Sequence, residues 1–155
     1  MRTTTGEQLS SSDARDAILS CHDELRGLAN ETIHIAEHAT KSERDFEPLC
    51  AHALELYEAF EQYMHFEERI LETALSDVIG CGSVLHAQIE ADHQRQRATL
   101  ASAMSALRRE TVPRARVIES VRAVADALLV DLRSEEDCLL SAEIDAIAIR
   151  DGQGG

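Results

Sequence analysis

Apolar residues recur every three or four positions along almost the whole chain, and little interrupts them: two prolines in 155 residues and the Gly80-Cys81-Gly82-Ser83 stretch. That period belongs to helices. The strict alternation of apolar and polar residues that a half-buried strand needs is absent. Aromatic residues make up only 3% of the chain, and Ala, Leu, Glu and Arg, all good helix formers, dominate. The pattern predicts an all-α fold, an antiparallel up-down-up-down four-helix bundle with short connections.

The punctuation sets the expected boundaries. Residues 1–10 are polar and form a flexible N-terminus, residues 11–150 form the bundle, and residues 151–155 form a flexible tail. The first helix starts near Ser11 or Ser12, with Asp13 in its first turn, and runs to about Thr40. Lys41–Asp45 is a charged connection. The second helix opens around Pro48, which a first turn tolerates, and continues to about Leu75. Gly80–Ser83 is a turn, with Ser83 capping a third helix that ends near Arg109. Thr111 caps and Pro113 opens the fourth helix, which continues to about Ile149. No internal repeat of solenoid period is present.

Net charge narrows the partners. Fifteen Lys and Arg against 29 Asp and Glu give −14, which repels phosphate backbones and anionic lipid. Neither a nucleic-acid nor a membrane partner is expected. No apolar run reaches the ~18 residues of a membrane span, and Met1-Arg2-Thr3-Thr4-Thr5 begins no secretory signal. Cys21, Cys50, Cys81 and Cys138 are widely spaced and read as thiols of a cytoplasmic protein, without disulfide or zinc spacing.

Chemistry enters where polar residues interrupt the apolar stripes. His22 falls within the first stripe (Ile18, Leu19, Leu25, Ala29, Ile33, Ala36). Tyr63 and Glu67 lie within the second, among Leu56, Phe60, Met64, Ile70, Leu71 and Ala74. His86 and His93 share the third, with Leu85, Ile89, Leu100, Met104 and Leu107. Asp131 and Glu135 lie within the fourth, with Val117, Val121, Val124, Leu128, Leu139 and Ala142. At about 1.5 Å per residue, His22 lies roughly 27 Å below the top of its helix. Tyr63 and Glu67 then fall about 24 and 30 Å down theirs, and Asp131 and Glu135 about 27 and 33 Å down the fourth. His93 sits about 14 Å up the third helix, so six side chains arrive at one level, while His86 falls roughly 10 Å lower.

Three carboxylates at one level of a dry core need counter-charge. No Lys or Arg lies on the inner faces at that height, and Arg97 is the nearest cation. A multivalent metal fills the need. Carboxylate, imidazole and phenolate together suit iron, with manganese as the alternative, better than zinc or calcium. Two carboxylates from different helices can bridge a metal pair.

The runs Cys21-His22-Asp23-Glu24-Leu25, Glu67-Glu68-Arg69-Ile70-Leu71, Glu90-Ala91-Asp92-His93 and Glu135-Glu136-Asp137-Cys138-Leu139-Leu140 resemble the hemerythrin-like, HHE cation-binding family over nearly the whole chain. The resemblance implies a centre of two iron ions with an oxo or hydroxo bridge. By that resemblance His22 and His93 are the ligands of the first and third helices, and Glu67 and Glu135 the bridging carboxylates. The family carries a histidine four residues before each of those glutamates, where this chain has Tyr63 and Asp131. Both replacements are hard oxygen donors, so the expected metal set is His22, Tyr63, Glu67, His93, Asp131 and Glu135. Their added negative charge stabilises Fe(III) over Fe(II), which disfavours reversible O2 carriage. The expectation is an oxidoreductase that activates O2 or peroxide, an oxidase, oxygenase or catalase-like enzyme, with a small-molecule substrate, a second peroxide or Tyr63 receiving the oxidising equivalents.

Two rivals remain at the level of sequence: an O2-, iron- or nitric-oxide-sensing module without turnover, and a metal-free structural bundle. A ferritin-like site would need recurring Glu-x-x-His pairs, and that order occurs only at Glu31-Thr32-Ile33-His34, on an outer face. His34, His38 and His65 read as surface histidines and His52 as core edge. Cys138 is placed on the inner face one turn beyond Glu135. Gly27 and Ala29 allow either close helix packing or a substrate path.

Overall fold

In the computed structural model, residues 11–75 and 82–152 are described, with side chains described over 12–71 and 87–138. Four α-helices account for nearly all of them: α1 (Ser11–Ala39), α2 (Phe46–Leu75), α3 (Gly82–Leu107) and α4 (Arg114–Gly152). No strand occurs among the described residues. A 3-10 turn, Glu43–Asp45, joins α1 to α2. The expected N-terminus 1–10, residues 153–155 of the expected 151–155 tail, the Gly80-Cys81 turn, and the side chains of Ala74, Ser83, Leu85, His86, Leu139 and Ala142 lie outside the described residues, while Asp151 and Gly152, expected in the tail, continue α4.

The stripes form the core. Along α1 the buried positions are Ala14, Ile18, His22, Leu25, Ala29, Thr32, Ala36 and Ala39, in steps of four and three that alternate from Ile18 onward. Buried Thr32 keeps its hydroxyl satisfied by donating to the Leu28 carbonyl one turn back, at 2.8 Å. Leu49, Leu56, Phe60 and Met64 of α2 pack with Leu100 of α3 and Val121, Leu128 and Leu132 of α4. Each of these large side chains contributes about 1.5–3 kcal/mol through removal from water. Leu19, Ile33, Ile89, Met104 and Leu107 are half-buried at the edges of their stripes.

Helix starts lie within a residue or two of expectation. The segment from Phe46 onward is already helical, so Pro48 is the third residue of α2, within the first turn as expected. Pro113 stands immediately ahead of α4, with its carbonyl accepting from the Val117 amide at 3.1 Å. Thr111 belongs to the preceding turn. The α4 helix continues through Ile149 to Gly152.

Each of the four sequential and closing pairs, α1–α2, α2–α3, α3–α4 and α1–α4, is in contact, and α3–α4 packs most sparsely. Pairs of charges mark heights between helices: Arg122 meets Glu37, Arg114 meets Glu43, and Arg114 also lies over the Phe46 ring at 5.2 Å. No helix among the described residues is long and apolar enough to cross a membrane.

Candidate metal centre

All four helices bring a polar side chain to one buried level. His22 of α1 and His93 of α3 are 0% exposed, Glu67 of α2 is 1%, and the Glu135 side chain of α4 is 11%. They form two hydrogen-bonded runs. In one, His22 Nε2 lies 2.5 Å from Tyr63 Oη and 3.3 Å from Glu135 Oε2, while Tyr63 donates to that same Glu135 oxygen at 3.1 Å. In the other, His93 Nε2 lies 2.9 Å from Glu67 Oε2. The runs meet, because Glu67, His93 and Glu135 each place a ligand atom within 4.8 Å of the other two.

Behind each imidazole stands a second carboxylate. His22 Nδ1 lies 3.0 Å from Glu136 and His93 Nδ1 lies 3.0 Å from Glu68. A carboxylate only accepts, so each Nδ1 donates, and the ring orientation that follows points Nε2 into the centre. Each of these glutamates also holds a guanidinium. Arg26 bonds Glu136, and Arg97 Nη1 reaches Glu68 at 2.9 Å. Both arginines come from the rim, one turn beyond the histidine on the same helix. The expectation that no cation serves this level is corrected to that extent: Arg26 and Arg97 neutralise the outer carboxylates and leave the inner ones alone.

The arrangement carries a two-fold sequence echo. His22-x3-Arg26 with Tyr63-x3-Glu67-Glu68 recurs as His93-x3-Arg97 with Asp131-x3-Glu135-Glu136. The α1 histidine pairs with the α4 glutamates and the α3 histidine with the α2 glutamates, so the contacts exchange in the same two-fold sense. The echo breaks at Tyr63 and Asp131. Tyr63 is buried against His22, with ring centroids 5.1 Å apart in an edge arrangement. Asp131 is half-buried, accepts from Gln96 Nε2 at 3.1 Å, and lines a cavity of about 210 Å³ between α3 and α4, which also reaches Glu135. Of the six expected ligands, five are joined through the two runs, and Asp131 stands at their edge beside Glu135.

Protonation follows from this wiring. Burial lowers the proton affinity of His22, but the hydrogen bonds to Glu135 and Glu136 outweigh it and leave the pKa raised. His93 behaves alike: burial lowers it and Glu67 and Glu68 raise it by more. Burial raises Glu68 and Glu136, yet the paired arginine and histidine bring each below the ordinary carboxylate value. Burial, reinforced by the carboxylates of Glu67 and Glu135, pushes the Tyr63 phenol far up. Asp131 is raised by burial, with Glu135 and Asp92 adding to the rise and Gln96 opposing it.

The donor set fits a hard or borderline metal: two inward imidazole nitrogens, the inner carboxylates and a phenol. One further feature points the same way. Glu67 Oε1 is buried with no hydrogen-bond partner, a costly condition for a carboxylate oxygen unless a cation meets it.

Residues outside the centre sort more simply. His34, His38 and His65 are exposed, the first two with ring centroids 4.6 Å apart. His52 is half-buried, 3.9 Å from both Glu31 and Glu55. Cys138 is exposed, against the inner-face expectation. Three residues beyond Glu135 is a turn of about 300°, which carries it past the edge of a stripe that Glu135 itself borders. Arg97 was noted from sequence only as the nearest cation, and Glu68, Glu136, Arg26 and Gln96 were given no role there. The signal was present as two Glu-Glu doublets and an Arg four residues after each buried His. Compared with models of known protein families, with curated proteins and with solved structures, the chain matches none.

Proposed function

We propose that the chain is a hemerythrin-like up-down-up-down bundle that holds two iron ions and uses them on O2 or peroxide. The antiparallel order is supported by which ends meet. Early α1 (His22, Arg26) pairs with late α2 and late α4, and late α1 (Glu31, Glu37) pairs with early α2 and early α4. The observation that carries the metal reading is a pair of fully buried, carboxylate-oriented imidazoles turned inward, His22 onto Glu135 and His93 onto Glu67, whose second oxygen is left without a hydrogen-bond partner.

His22 and His93 would each hold one metal through Nε2, with Glu67 and Glu135 between them and Tyr63 and Asp131 completing the set. When bound, the metal pair supplies the electrons for reducing O2 or peroxide. Glu68 and Glu136 keep each imidazole in the tautomer whose inward nitrogen carries a lone pair. Tyr63 holds its proton firmly while the centre is metal-free, so its phenolate forms only against a bound cation. Burial of the centre excludes bulk water from Tyr63 and restricts where oxidising equivalents leave.

The test is direct. The purified protein should contain about two irons per chain and show a visible tyrosinate-to-Fe(III) band that Tyr63→Phe abolishes. Iron with the band retained in Tyr63→Phe moves Tyr63 out of the ligand set. A colourless protein that takes up no iron overturns the reading.

One observation favours a second reading, a metal-free structural bundle. The His22–Tyr63–Glu135 and Glu67–His93 hydrogen bonds already give most inner groups a partner if both histidines are protonated. Such a protein would be indifferent to chelators.

A further inference from the structure

We infer that the cleft between α3 and α4 is the path by which a divalent metal cation reaches the centre; this rests on the metal reading above. The cleft is a cavity of about 210 Å³ whose walls run from Asp92 through Asp131 to Glu135. Side-chain exposure falls from 33% at Asp92 to 11% at Glu135, with half-buried Asp131 on the same wall. A cation passing inward therefore exchanges water for carboxylate oxygen in steps instead of losing its hydration shell at once. At the inner end Glu135 lies within ligand distance of Glu67 and His93, and buried Glu67 Oε1 has no partner.

Among the described residues, the other three seams between helices are closed to a cation. Behind His22 the seam between α1 and α4 carries Arg26 on Glu136, and behind His93 the seam between α2 and α3 carries Arg97 on Glu68. Between α1 and α2 the buried Tyr63 and His22 rings meet edge to face. The α3–α4 cleft also holds a cation, Arg95, but its ion pair is with Asp92 at the mouth, and it acts on Asp131 only through space, more weakly than the burial and the Glu135 charge that raise that carboxyl. The break in the two-fold echo explains the asymmetry. Where Tyr63 fills its half with a ring, the shorter Asp131 leaves the opposite half open, and Gln96 holds its carboxylate at the wall.

Charge at the mouth should then set the rate of loading without setting the affinity. The experiment is stopped-flow uptake of Co(II) by the metal-free protein, read by its visible absorption, with affinity measured separately by chelator competition. Asp92→Asn should slow loading by about threefold to tenfold at low salt, and Arg95→Glu should speed it by a similar factor. Both should keep Co(II) affinity within about twofold, and the rate differences should shrink as salt screens them. Ala127→Trp, at an exposed wall position, should slow loading without altering charge. Should the tryptophan variant fail to fold, the two charge variants decide alone. Unchanged loading rates in Asp92→Asn and Arg95→Glu at unchanged affinity would overturn the route and leave the centre standing. A wild-type chain that takes up no Co(II) overturns the centre and the route together.

Discussion

At Glu68 and Glu136 a carboxylate sits between a guanidinium and an imidazole, and this sandwich determines how the centre titrates. His22 and His93 have folded pKa values raised above the ordinary imidazole value near 6.5, because neighbouring carboxylates outweigh burial. Their contribution to the stability of the metal-free protein is therefore complete below about pH 6.5 and is lost as pH rises through the higher folded values. Glu68 and Glu136 act in the opposite sense: they are lowered, so their contribution is present above about pH 4.5 and is lost as pH falls through the folded values. Metal binding reverses the alkaline limb, because cations compete with protons for the same imidazole and phenol atoms. Urea midpoints of the metal-free protein should decline from about pH 6.5 upward, while metal affinity should climb over the same interval. A metal-free midpoint that rises or stays flat above that pH would contradict the wiring. In sequence the inner residues were legible because a polar group on an apolar stripe is conspicuous. Their outer partners were not: Arg97 stood out only as the nearest cation, and Glu68, Glu136 and Arg26 look like ordinary helix surface until the neighbouring helix is in place.

Helices here are defined by their stripes more than by their caps. The phase of α1 could be read to within one position: Ile18, His22, Leu25, Ala29 and Ala36 are buried as expected, but Thr32 takes a buried place and Ile33 an edge one. The reason is rotational, because Thr32 continues the alternating steps of three and four, and its back-bond to Leu28 removes the cost of burying a hydroxyl. Leu49, Ala53 and Tyr57 of α2 and Ile118, Ala125 and Leu132 of α4 were left out of the expected stripes for a related reason. A helix packed against two neighbours and facing a third buries a wider arc than one contact line. Gly27 offers a clean test at this scale. It is exposed, lies in the middle of α1, and a Cβ there would meet nothing within 4 Å, so it serves neither close packing nor a substrate path. Gly27→Ala should stabilise the protein by about 0.5–1 kcal/mol in urea denaturation and leave metal uptake unchanged. A destabilised variant would show that the site is tighter than it looks.

For the molecule as a whole, the −14 net charge and the inner carboxylates make metal and stability one question. A cation that binds only the folded centre should raise the unfolding free energy by about 2.7 kcal/mol at a hundred times its dissociation constant. Thermal denaturation should thus show a Tm that rises with added metal and returns to the metal-free value with chelator. A Tm indifferent to both would favour the metal-free bundle. By itself the sequence determined that the chain is helical, where its helices lie, and which polar residues interrupt their inner faces, because helical period, breakers and residue polarity are properties of neighbours along the chain. Only the tertiary structure decided which partner each polar atom meets: that both imidazoles turn Nε2 inward, that arginines stop at the rim, and that Asp131 faces a cleft while Tyr63 is sealed. Those outcomes depend on the rotation and separation of helices distant in sequence. A stripe fixes the face a residue lies on, whereas contact across a few ångströms is fixed by the side chains of the helix opposite.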